Sequence, residues 1–98
     1  MSSVRQLFQR AVMLIRHKHL IEAQTCLDEL LRHDANHPDA LACRGWIHAL
    51  HGRDLLARAD LEAALRCASP DWARRSIIES QLGIENAIHA SSRVPSIE

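Results

Sequence analysis

The sequence repeats itself at an interval of 34 residues, and that interval restricts the fold more than any other feature. Leu7 and Leu41 stand 34 apart, and so do Ala11 and Gly45, Ala23 and Ala57, and Leu27 and Leu61. The chain also breaks at matching places, His17-Lys18-His19 in the first repeat and His51-Gly52-Arg53 in the second. Each repeat therefore reads as a helix, a tight turn and a second helix. The small residue on the first helix (Ala11 or Gly45) lets the second approach closely at Ala23 or Ala57. Leu27 or Leu61 then fills the space beside that contact. Spacing alone thus predicts two helical hairpins stacked in series.

Local signals place the boundaries. Pro38 suits the first turn of a helix, where its missing N–H costs nothing. Gly52 suits the position just past a helix end, where a positive φ is needed. Ser69-Pro70-Asp71 reads as an N-cap, a first-turn proline and an acid favoured by the helix dipole. Helices are predicted near 3–17, 20–33, 38–51, 54–67 and 70–89, followed by a flexible tail over 91–98 that contains Pro95. Residues 1–90 read as one all-α domain, an α-solenoid of about five helices. Its hairpins cover about 4–37 and 38–70, and the helix at 70–89 closes it.

Composition removes several function classes. Lys and Arg total 12 and Asp and Glu total 12, so the formal net charge is zero, without the basic excess that tracks nucleic-acid phosphates. Aromatics are only Phe8, Trp46 and Trp72, and the abundance of Ala and Leu favours helix over sheet. No apolar run approaches the roughly 20 residues that span a bilayer, and the first residues lack a secretory pattern. Cys26, Cys43 and Cys67 are an odd number without paired spacing, which suits free thiols in a reducing cytosol. The expectation is a soluble cytoplasmic protein that touches neither nucleic acid nor membrane.

The seven histidines invite a metal reading through the pairs His17/His19, His33/His37 and His48/His51, with Asp34 beside the second. No third or fourth ligand recurs at metal-site spacing, so these read as surface or turn histidines. There is no glycine-rich phosphate loop and no nucleophile elbow, and Cys43 and His48 do not form a dyad at their spacing. Acidic residues such as Asp28-Glu29 and Asp60-Glu62 sit at helix-surface spacing and read as solvated. The chain is expected to be neither an enzyme nor a carrier of any cofactor.

The second repeat, from Pro38-Asp39-Ala40-Leu41-Ala42-Cys43-Arg44-Gly45-Trp46 through Gly52, Ala57, Leu61 and Ala64 to Pro70, resembles a tetratricopeptide repeat. It departs from that family where His48 replaces a frequent aromatic and where Pro70 comes one residue late. The first repeat keeps Leu7, Ala11, Ala23 and Leu27 but has no turn glycine. The resemblance implies a concave groove lined by Arg5, Phe8, Val12, Ile15 and His19 on the first helix. On the third helix it implies Asp39, Ala42, Cys43, Trp46, Ala49 and Arg53. Phe8 and Val12 stand where repeats that clamp chaperone carboxylates carry polar residues, so this groove suits the apolar face of an amphipathic helix. The competing reading makes Phe8 and Val12 ordinary core against the fifth helix.

Two repeats and one helix are fewer than the three repeats a solenoid usually needs, so a partner is expected to complete the fold and a hetero-oligomer to result. On the fifth helix Ile77, Ile84, Ala87 and Ile88 form one face, expected to close the solenoid. Ile78 and Leu82 form another, left for a partner unless the whole helix is buried in its own fold. The full expected partner-binding set is Phe8, Val12, Ile15, Ala42, Cys43, Trp46, Ala49, Ile78 and Leu82. The segment Glu79-Ser80-Gln81-Leu82-Gly83-Ile84-Glu85-Asn86-Ala87-Ile88, preceded by Pro70 and Trp72, is one of two that carry a finer resemblance. The other is His19-Leu20-Ile21-Glu22-Ala23 with Cys26-Leu27 and Glu29-Leu30. Both are similar to the tetratricopeptide-like cytosolic chaperones of bacterial type III secretion needle subunits (the YscG-like group). That resemblance implies capture of the needle subunit's amphipathic helix, which prevents premature polymerisation, together with a small helical co-chaperone. The alternative is a general adaptor or assembly scaffold that holds two proteins together.

Overall fold

A computed structural model describes residues 3–82 of the 98. The chain divides into two compact units, Met1–Ala68 and Ser69–Glu98. The first holds four helices: α1 (Val4–Arg16), α2 (Leu20–His33), α3 (Pro38–Leu50) and α4 (Asp54–Cys67). Each lies within about one residue of its sequence-based prediction. The second unit is helical over 75–82, and there is no strand among the described residues. The fold is all-α, with two helical hairpins followed by a further helix.

The ends of these helices follow from named side chains. Ser3 opens α1 with a capping box: its Oγ accepts from the Gln6 N–H at 3.1 Å, and Gln6 Oε1 accepts from the Ser3 N–H at 3.0 Å. His37 opens α3, where its Nδ1 accepts from the Ala40 N–H at 3.0 Å and Pro38 takes the first helical position. The two hairpin turns are near copies of each other. His17 and His51 have φ/ψ of −93°/8° and −95°/10°, and His19 and Arg53 have −88°/69° and −92°/70°. Between them, Lys18 and Gly52 adopt the left-handed conformation, at φ 64° and 75°. Each turn closes with the bond pair of a Schellman motif. In the first, Lys18 and His19 donate to the carbonyls of Ile15 and Leu14; in the second, Gly52 and Arg53 donate to those of Ala49 and His48. The 34-residue interval is thus a repeat of backbone geometry. The first repeat lacks a turn glycine, yet its lysine takes the glycine conformation.

Within the first unit α1 packs on α2, α3 on α4, and α2 on α3, so the hairpins stack through their inner helices. Leu27, Leu30 and Ile47 are fully buried, with Ala11, Ala23 and Ala64 completely covered beside them. The close approach foreseen at the small residues is present. A Cβ placed on Gly45 would lie 3.1 Å from Leu61 Cγ and Cδ2 and 3.2 Å from the Ala57 carbonyl oxygen. Leu61 and Ala57 are the very partners the repeat assigned to it.

The fifth helix departs from expectation at its start, which is residue 75 rather than 70. Ser69-Pro70-Asp71 forms a turn instead of a cap. The Ser69 carbonyl accepts from the Trp72 N–H at 3.1 Å, with Pro70 at the turn position its ring favours. Ser69 Oγ donates to Asp71 Oδ1 at 2.8 Å, so the hydroxyl is spent inside the turn. The expected helix end at 83–89, the tail over 91–98 and Ile84, Ala87 and Ile88 lie outside the described residues.

Lys18 gives a direct test of the turn geometry. A side chain in the left-handed region costs about 1–2 kcal/mol, while glycine adds about 0.4–1 kcal/mol of unfolded-state entropy. Lys18→Gly should therefore stabilise the chain by about 0.5–1 kcal/mol in urea denaturation, and Gly52→Ala should destabilise it by about 1 kcal/mol. A Lys18→Gly midpoint at or below wild type would contradict this account.

Candidate partner-binding surface

Phe8, Val12 and Ile15 recur at i, i+4 and i+7, so α1 presents them along one face. All three are half-buried. Phe8 lies against the ring of His37, with centroids 5.3 Å apart and planes inclined by 39°. The N-cap of α3 thereby supports the open end of this face. Residues 42, 46 and 49 are the repeat equivalents of 8, 12 and 15 on α3. Trp46 is half-buried and Ala49 is exposed.

Two of the α3 residues are not surface. Ala42 is fully covered and Cys43 is buried, so neither offers area to a partner as the chain stands. The cause is that α3 packs against both α2 and α4, whereas α1 packs chiefly on α2. Seven α3 residues are buried against two in α1, Leu7 and Ala11. In the second unit Ile78 and Leu82, expected to face a partner, are buried, and Ile77, expected to close the solenoid, is exposed. Ile77 and Ile78 are only about 100° apart on a helix, so their sequence pattern could not choose between them.

The most organised side-chain cluster is one that sequence reasoning missed. Arg44 of α3 reaches two other helices. Its Nε and Nη2 donate to Asp60 Oδ2 and Oδ1 of α4 at 2.8 and 2.9 Å, and its Nη1 donates to Asp28 Oδ1 of α2 at 3.1 Å. The two-pronged bond to Asp60 is the strong form of guanidinium–carboxylate pairing. It is the main cause that raises the Arg44 pKa above its already high value, against the opposing effect of burial. One turn further along α3, His48 is 7% exposed, with Nε2 3.6 Å from Asp60 Oδ2. Burial holds the His48 pKa below its ordinary value, with the nearby Asp60 carboxylate acting in the other direction.

Asp60, expected in solvent, is therefore a buried anchor, and His48, expected at the surface or in a turn, is part of the interior. A signal was available. Ala57, Asp60, Leu61 and Ala64 form the buried stripe of α4, and Leu41, Arg44, Gly45 and His48 share the same i, i+3, i+4, i+7 spacing on α3. Charged residues inside an apolar stripe require partners, and these are partners to each other.

A second surface lies at the hairpin turns. Ile21 and Leu55, repeat equivalents at the starts of α2 and α4, are 77% and 85% exposed, and Leu50 is exposed beside the second turn. A shallow cleft of about 370 Å³ there is lined by Ile21, Gln24, Thr25, Asp28, His51 and Arg53. Arg53 Nη2 donates to Gln24 Oε1 at 3.1 Å across it, tying the second turn to α2. Among the described residues no group of three or more His, Cys, Asp or Glu side chains could hold a metal ion. No helix among them is long and apolar enough to cross a membrane.

Comparison with known proteins returns no matching family model, no matching curated relative and no matching solved structure.

The two arms of the Arg44 clamp should separate cleanly by stability. Asp60→Ala should cost about 2–3 kcal/mol, because it strands a part-buried guanidinium and removes charge-assisted bonds. Asp28, whose side chain is 41% exposed, should cost only about 0.5 kcal/mol when replaced by Ala. Equal effects in chemical denaturation would show that the clamp is not centred on Asp60.

Proposed function

We propose that this chain is a protein-binding helical-repeat module that takes up the apolar face of a partner's amphipathic helix. In its most specific form it is a cytosolic chaperone that holds a type III secretion needle subunit monomeric before export. The observation that carries the general reading is the half-open apolar face of α1, Phe8-Val12-Ile15, together with the half-buried Trp46, the repeat equivalent of Val12 on α3. Such a face is the lining that a helix-in-groove interaction uses, with anchors at i, i+3 or i+4, and i+7. Large aromatics in such a position are the residues that carry binding energy out of proportion to their number. The needle-subunit form rests on the sequence resemblance alone: the pattern Glu79-x-x-Leu82-Gly83-Ile84 and the segment around Leu20-Ile21-Glu22-Ala23.

A chaperone of this kind works by substitution. A needle subunit polymerises by burying one apolar helix face against its neighbours. A groove that covers the same face removes the driving force for assembly without any covalent chemistry. Ile21, Leu50 and Leu55, at or beside the turns, are apolar residues exposed away from the α1 face. Their exposure favours the rival reading, an adaptor that holds two proteins at once.

Co-expression with needle-cluster proteins, followed by size-exclusion chromatography, tests the specific form: a stable 1:1 or 1:1:1 complex supports it. A folded monomer indifferent to those partners would leave the adaptor reading in its place. Trp46→Ala tests the groove. It should weaken capture of the partner helix by about 2 kcal/mol or more, roughly 30-fold in Kd, while the complex that forms stays helical. Global unfolding of Trp46→Ala would instead make Trp46 a core residue and remove the groove assignment.

A further inference from the structure

We propose that His48 makes the α3–α4 hairpin acid-labile, so that the packing of α3 on α4 opens when a proton is forced onto this buried ring. The inference concerns the free chain and does not depend on the identity of any partner. It starts from the surroundings of the imidazole. The ring is almost wholly buried, and its Nδ1 has no hydrogen-bond partner among the described residues. Its Nε2 faces Asp60 Oδ2 at 3.6 Å, too long for a good hydrogen bond. That same oxygen already accepts from Arg44 Nε at 2.8 Å.

The charged groups around the ring come from every helix of this part of the fold. Arg44 lies on its own helix, Asp60 on α4, Asp28 on α2 and Arg53 in the α3–α4 turn. Both carboxylates are engaged by Arg44, and Arg44 and Arg53 repel further positive charge. The neutral imidazole therefore completes a balanced set. A proton would add a positive charge to a set that is already balanced, and although Asp60 at 3.6 Å would favour it, burial of the ring outweighs that attraction. The proton would also turn the unpartnered Nδ1 into a buried donor with no acceptor.

The sign follows from linkage. Burial depresses the folded-state pKa of His48 below its ordinary value of about 6.5. Between those two values the opened hairpin binds a proton that the closed one refuses. The stability this ring contributes is complete above pH 6.5, begins to be lost below it, and continues to fall until the folded ring itself titrates. The turn is coupled to the same residue, because the His48 carbonyl accepts the closing bond from the Arg53 N–H at 2.8 Å. Opening of the C-terminal end of α3 would therefore release this turn bond together with the interface.

The test uses the full chain. Histidine ring resonances are followed by NMR from pH 8 to 5, and unfolding constants are measured in urea at pH 7.5, 6.5 and 5.5 for wild type and His48→Phe. The His48 resonance should titrate with a midpoint below 6.5. The wild-type unfolding constant should rise by up to about tenfold more per pH unit below 6.5 than that of His48→Phe, the effect of one proton. His48→Gln gives the same comparison if His48→Phe does not fold, and the wild-type midpoint decides alone if neither does. A His48 midpoint at or above 6.5, or parallel pH dependences of wild type and variant, would overturn the proposal.

Discussion

The distance between α3 and α4 is set at Gly45, and much of the first unit depends on that contact. With hydrogen in place of a side chain, the α3 backbone settles against Ala57 and Leu61 where even a methyl group would be crowded. Arg44 and His48, on either side of this point, are thereby brought close enough to share the carboxylate of Asp60. A larger residue at Gly45 would push the helices apart and lengthen these polar contacts, which weaken steeply with distance. Ala11 and Ala23, both completely buried, occupy the equivalent positions of the first hairpin.

Arg44 extends this local contact to a third helix. By bonding to Asp28 as well as Asp60, it ties α2, α3 and α4 together at one residue. A part-buried ion pair is a modest source of net stability, since desolvation offsets much of the attraction. Its stronger effect is on register. Sliding α3 by one turn against α4 would strand Asp60 in an apolar interface, whereas leucine and alanine contacts would tolerate the slip far better. In a module of four short helices with few aromatics, that penalty distinguishes the native stacking from near alternatives.

The same arrangement explains where apolar surface remains uncovered. Because α3 is flanked by α2 and α4, its middle is buried, and Ala42 and Cys43 disappear from the surface. α1 packs chiefly on α2 and keeps Phe8, Val12 and Ile15 half open. The half-open apolar area on these helices therefore belongs mainly to α1, with Trp46 half-buried on α3. Ile21, at the start of α2, instead lines a cleft with His51 and Arg53, and its repeat equivalent Leu55 is exposed as well.

The sequence by itself determined the number of helices in the first unit, their ends, the turns and the small-residue contacts. These depend on interactions within a few residues or on a repeating interval, and both are visible in one dimension. Lys18 shows the reach of that information: its repeat equivalent is Gly52, and its backbone follows the glycine even without being one. What only the tertiary structure decided is which polar residues go inside and which apolar ones stay out. Asp60 reads as a solvated acid until Arg44 is found beside it, and nothing in the sequence pattern says that Ile78 is buried while Ile77 is exposed. The physical reason is that burial is a property of neighbours. A helix pattern states which residues share a face, and only the packing of one helix on the next states what that face meets.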